Sequence, residues 1–139
     1  MSEMIKIQNA VEMTPELRAH LTPLGHRHLG NAALSLDSYI ALSSDVRYVS
    51  ENDRPLFLIG AFQPTLFSPQ KEVWMYSTEF LKAIHFRTVR KMWQEWLETQ
   101  KGFLIFARTD SPQSERMVEF VGFTFRLETE HYKVYEVSP

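Results

Sequence analysis

The chain of 139 residues contains no cysteine. That excludes a disulfide framework, a thiol nucleophile and a thiolate metal site. A basic excess is missing too: 15 Lys and Arg stand against 17 Asp and Glu, a formal charge of −2 at pH 7. Proteins that coat nucleic acid carry a surplus of cations, so direct nucleic-acid binding is not expected. No apolar run approaches the ~20 residues of a membrane span. The opening residues, Met1-Ser2-Glu3-Met4-Ile5-Lys6, lack the apolar segment of a secretory signal. An intracellular setting away from membranes is the expectation. Only five glycines occur. They build neither a Gly-x-Ser-x-Gly elbow nor a phosphate-cradling P-loop, which leaves hydrolase and nucleotide-triphosphatase chemistry without support.

What is present is ordinary globular usage, 44% apolar and 23% charged. The length fits a single domain over residues 1–139. Aromatic residues reach 13%, and their spacing places them in a core. A base-stacking surface would interleave them with cations. Periodicity predicts a first strand over Met4–Gln8 and a helix started by Thr14-Pro15 and limited by Pro23 and Gly25. A second helix follows a cap at Asn31 and buries Leu36, Tyr39 and Ile40. Val46–Ser50 and Leu56–Phe62 read as a hairpin across Glu51-Asn52-Asp53-Arg54-Pro55. The second of these runs is wholly apolar, as in a strand covered on both faces. Val73–Tyr76 is the next strand. A helix from Glu79 or His85 to Gln100 turns Phe86, Val89, Trp93, Trp96 and Leu97 to one face. Phe103–Ala107 is another apolar strand. A helix capped by Ser111-Pro112 ends at Val121-Gly122, and Phe123–Leu127 with Lys133–Val137 close the chain as a hairpin. The order β, α, α, β, β, β, α, β, α, β, β predicts an α/β fold, a mixed sheet of about seven strands with helices on both faces.

That order resembles the GNAT fold of acetyl-CoA-dependent N-acetyltransferases over nearly the whole chain. Met117-Val118-Glu119-Phe120-Val121-Gly122-Phe123 resembles the family's helix ending in Leu-Gly-Phe, and Ile5-Lys6-Ile7 with Thr14-Pro15-Glu16-Leu17 resembles its usual start. A narrower likeness is to small GNAT-like proteins of short-tailed bacteriophages. It rests on Leu36–Ser44 with Pro55 and Gly60, on Trp74-Met75-Tyr76-Ser77-Thr78, on Phe86-Arg87-Thr88-Val89-Arg90, and on the spacing from Arg116 to Gly122-Phe123. That resemblance implies an internal virion or morphogenesis protein, other virion proteins as partners, and a place in the virion or in the host cytoplasm during assembly.

The GNAT resemblance also implies acetyl-CoA as the possible cofactor. Its pyrophosphate would lie on backbone N–H groups at the start of the third helix, where glycines let the phosphates approach. The matching stretch is Lys82-Ala83-Ile84-His85-Phe86-Arg87, with large side chains at both glycine positions. Lys82, Arg87, Arg90 and Lys91 offer side-chain cations instead, or simply a solvated helix face. Tyr76 and Ser77 lie on the strand leading to this loop and complete the cofactor-binding candidates with Ser111, which stands where the family places a pantetheine-binding Asn. Ser111 also reads as a helix cap. The family's general-acid Tyr is replaced by Val118. Candidates for a general base are Glu72, Glu79 and His85, each with a structural alternative. A metal site at His26-Arg27-His28 lacks a third ligand at suitable spacing and reads as a polar loop. Two functions remain open: a virion or assembly protein with a degenerate acetyl-CoA site, and an N-acetyltransferase with an atypical cofactor loop.

Overall fold

In the computed structural model, which describes residues 5–9, 11–24, 36–65 and 67–139, the hairpin expected around Asn52-Asp53 is formed. Both turn residues have positive φ, 51° and 67°, the geometry of a tight turn that suits the twist of the flanking strands. The hairpin joins β3 (Asp45–Glu51) to β4 (Arg54–Phe62). Before it lie β1 (Ile5–Gln8), α1 (Pro15–His20), β2 (Thr22–Leu24) and α2 (Leu36–Leu42). After it come β5 (Gln70–Ser77), α3 (Phe86–Glu98), β6 (Leu104–Thr109), α4 (Pro112–Val121), β7 (Thr124–Glu128) and β8 (Lys133–Val137). Met4, Gly25, His26-Arg27-His28 and Asn31 fall outside the described residues.

Seven strands run in the order β1-β3-β4-β5-β6-β8-β7, and β2 pairs with β5 off that path. The β5–β6 pair is parallel, as the intervening α3 requires, and the others are antiparallel. The fold is thus the single-domain mixed α/β sheet expected from the sequence, with one strand more than expected. That strand is β2, where the sequence predicts the end of a helix. Pro23 has no N–H to donate, so it suits an edge.

The apolar run of β4 is explained by its two faces. Phe57, Ile59 and Ala61 join Val73, Met75, Ile105 and the α3 residues Val89, Trp93, Trp96 and Leu97 in one core. Leu58 and Phe62 join Trp74, Tyr76, Leu36 and Tyr39 of α2 in the other. Alternate residues of a strand point to opposite faces, so a strand covered on both sides must be apolar throughout. Two expectations about α3 need correction. Of the two starts expected, Glu79 does not hold, whereas His85 holds within a residue: regular turns begin at Phe86, after a 3₁₀ turn at Ala83–His85, and end at Glu98 rather than Gln100. Phe86, expected on the buried face, is 38% exposed. The buried stripe takes in Met92 instead.

Candidate functional site

The sheet opens between β5 and β6. These strands pair only over Gln70–Glu72 and Leu104–Phe106. Beyond that point β4 holds one edge of β5 as far as Ser77, and β6 continues along β8, which it already pairs with from Ile105 on its other edge. A strand has two hydrogen-bonding edges, so β2, antiparallel to Met75–Ser77, lies on the edge that β6 leaves.

Two spaces adjoin this opening. A small cavity of about 40 Å³ lies among Val73–Met75, Ala107–Thr109, Trp93, Met117 and Val118, room for about one water. A wider groove of about 740 Å³ runs from Ser77, Thr78 and Leu81 past Phe86 to Gln113, Arg116 and Phe120 of α4. Met117 lines both.

The three general-base candidates are not brought together. Glu72 is buried, and its Oε2 accepts from Arg108 Nε at 2.8 Å. Arg108 Nη2 also reaches the Tyr39 hydroxyl at 3.4 Å, and the guanidinium lies 5.5 Å from the Tyr132 ring centre. Burial works against the Arg108 charge, but the Glu72 carboxylate outweighs it and raises the arginine's pKa further. A carboxylate so held is committed to an ion pair. Glu79 is on the surface, paired with His20. Its own backbone N–H, opposed by desolvation and helped by His20 and Lys82, holds its carboxyl below the usual 4.5. That weakens it as a base.

His85 is buried at the start of α3. Its Nδ1 accepts the Lys82 N–H at 2.9 Å, and Nε2 lies 3.1 Å from Glu51 Oε1. These partners assign the ring proton to Nε2, which then donates to Glu51. The imidazole therefore takes a backbone N–H beside the helix start that the resemblance assigns to phosphate.

Of the cofactor-binding candidates, Ser77 lines the groove. Tyr76 points to the other face, packed at 6.0 Å from Trp74, and burial raises its pKa. Lys82, Arg87 and Arg90 are exposed. The Arg90 guanidinium stacks 5.1 Å from the Phe120 ring centre, while Lys91 faces Glu95 one turn on, at 4.0 Å. Ser111 caps α4: its hydroxyl accepts the Ser114 N–H at 3.1 Å, and Ser114 Oγ accepts the Ser111 N–H at 3.2 Å. The sequence reasoning missed Arg108, Tyr39 and Glu51. A charge directly after the apolar run Phe103–Ala107 was the one local signal for Arg108. Among the described residues no three His, Asp or Glu gather at metal-binding distance, and no helix is long and apolar enough to cross a membrane.

No protein-family model and no curated protein matches the chain. Solved structures match its fold. A Bacillus subtilis acetyltransferase in complex with CoA is 12% identical with a TM-score of 0.66, over 97% of this chain and 99% of that one. A domain from Methanocaldococcus jannaschii is 19% identical with a TM-score of 0.68, over 99% and 100%. The Campylobacter jejuni N-acetyltransferase PseH in complex with acetyl coenzyme A is 14% identical with a TM-score of 0.59, over 97% and 99%. These likenesses establish the fold, that of the GNAT acetyltransferases.

Proposed function

We propose that this chain is a GNAT-fold protein with a degenerate acetyl-CoA site, working as a virion component or assembly protein through contacts with other virion proteins. The observation that carries the reading is His85. Its imidazole fills the approach to the Lys82 N–H and is fixed from behind by Glu51. A pyrophosphate needs such N–H groups open, and this reading takes the occupied Lys82 N–H as closing the usual pose of coenzyme A beside this helix start. Two further features support the reading: Glu72 is bound to Arg108, and Val118 has no proton to give a departing thiolate. The phage setting rests on the sequence resemblance alone.

The test is a thermal-shift titration with acetyl-CoA beside an acetyl-transfer assay on amine substrates. Ligand at 100 times its Kd stabilises a protein by ~2.7 kcal/mol. No shift and no transfer are expected at millimolar acetyl-CoA. Saturable binding with turnover would overturn the degenerate-site reading, and absence of the chain from purified particles of its source would overturn the virion role.

A second reading, an N-acetyltransferase acting on an unidentified amine, is favoured by the groove of about 740 Å³ with Arg116 on its wall. Arg87 and Arg90 would then hold phosphates by side chain, and such binding would weaken with salt.

A further inference from the structure

Thr22–Leu24 pairs with Met75–Ser77 on the edge of β5 that β6 abandons. Only three residues make the pairing. Above it, the ring of His20 meets Glu79 and lies 5.3 Å from the Phe80 ring centre. Both His20 and Glu79 are substantially exposed, and exposed ion pairs contribute little. The strand is thus held by a short ladder, a weak latch and the half-buried Leu21 that precedes it, while β5 is fixed along its other edge by β4. Ser77 belongs both to this ladder and to the wide groove. A ligand that lies in the groove and extends an amide-bearing arm along β5 toward the small cavity needs the same backbone groups.

We propose that β2 is a removable plug: the chain's own Thr22–Leu24 holds the open edge of β5, and an acyl-coenzyme A gains that edge only when β2 leaves. The inference rests on the degenerate-site reading and states what closes the site. Strand pairing satisfies donors and acceptors on both sides, so an amide arm and β2 compete for one ladder and exclude one another. Opening is local, because the described residues of the two cores lie outside β2, and next to it only Leu21 packs against one.

The absence of cysteine makes a direct test possible. Thr22 and Ser77 face each other in register. Opposed residues of an antiparallel pair have Cα atoms about 4.5–5.5 Å apart, inside the range a disulfide spans. The variant T22C/S77C locks the plug when oxidised and frees it when reduced, and its reduced form is the folding control. Hydrogen exchange is expected to show residues 20–24 opening at least tenfold faster than β4 in the wild type and in the reduced variant, and not in the oxidised one. If residues 20–24 exchange only with global unfolding, the plug is not removable and the proposal fails.

Acetyl-CoA supplies the second arm. T22G/L24G, which loosens the ladder, should bind acetyl-CoA at millimolar concentration where the wild type shows no binding, through the freed β5 edge and the side chains of Arg87 and Arg90 and not through the helix start that His85 occupies. Oxidised T22C/S77C should show no binding. Equal binding by oxidised and reduced protein would overturn the proposal. So would a loosened variant that folds and still does not bind, an outcome that leaves the degenerate-site reading standing. Tight binding by the wild type would defeat the degenerate-site reading. Exchange in that complex would then decide the plug: freed residues 20–24 support it, and protected ones overturn it.

Discussion

Gly60 and Trp74 are directly opposed on β4 and β5, and the indole lies over the glycine. A Cβ on residue 60 would stand 2.3 Å from Trp74 Cζ2, 2.5 Å from Cε2 and 2.8 Å from Nε1. Carbon atoms in contact prefer ~3.5–4.0 Å, so Gly60→Ala forces the ring back by more than about 1 Å. The ring has nowhere to go. It is 2% exposed, sits 5.6 Å from Tyr39 and 6.0 Å from Tyr76 between ring centres, and donates its N–H to Ser43 Oγ at 2.8 Å. Overpacking a filled core costs about 1–3 kcal/mol. Losing the indole hydrogen bond adds roughly 1 kcal/mol. Alanine restricts the unfolded chain and returns about 0.4–1 kcal/mol. The net expectation is ~2–3 kcal/mol. A chain of this size shifts by roughly 3 °C per kcal/mol, so calorimetry should show Tm falling by about 6–9 °C. The ring, and not the backbone, is the cause in this argument. Trp74→Phe should therefore relieve part of the loss, leaving the double variant at least ~1 kcal/mol more stable than the two single losses summed. An unchanged Tm for Gly60→Ala, or additive losses in the double variant, would refute the reasoning.

Trp93 is buried in the core under α3, and Trp93→Ala should cost ~3–5 kcal/mol in a urea unfolding curve. Arg108→Ala removes the Arg108 countercharge from a buried Glu72 carboxylate, a loss of up to about 3–5 kcal/mol. The double variant Arg108→Met with Glu72→Gln should recover much of it, and a single variant as stable as wild type would show the pair to be idle. The Glu79 carboxyl is held below its ordinary 4.5 in the fold, so its contribution is present above that value and lost as pH falls through the lowered one. Exchange at residues 20–24 should accordingly quicken on acidification below about pH 4.5, and Glu79→Gln should flatten that response.

Much of the architecture was legible because it follows from local periodicity. The alternation and turn residues around Asn52-Asp53 mark a hairpin, and the structure forms it, with a register shift between Val49 and Ser50. Ser111-Pro112 reads as a cap and is one. Gly122 ends α4 at φ 120°, the conformation that favours glycine. β2 was not legible. Three residues containing a proline carry no strand signal, and their pairing partner lies more than fifty positions away. The same limit applies to the site. The missing glycines and the absent tyrosine can be read from the sequence. That His85 turns inward to Glu51, 34 positions earlier, depends on β3 reaching the end of β5 through β4. No local pattern encodes that.

The three closures act on different parts of the expected chemistry. His85 stands at the helix start, β2 on the strand edge, and Arg108 on the Glu72 carboxylate. Each also satisfies groups that folding would otherwise leave bare. Lys82 gains an acceptor, β5 gains a partner, and a buried carboxylate gains a countercharge. A cofactor site kept open must leave such groups for the ligand, and free N–H groups and strand edges in a partly buried cleft reduce stability until the ligand arrives. On the proposed reading, filling them from within the chain removes that burden and the binding capacity together. The closures differ in strength, however. His85 and Glu72 are held in buried pairs, whereas β2 is held by three paired residues, the half-buried Leu21 beside them and an exposed latch. If the opening in the sheet retains any traffic with a ligand, β2 is the element that moves.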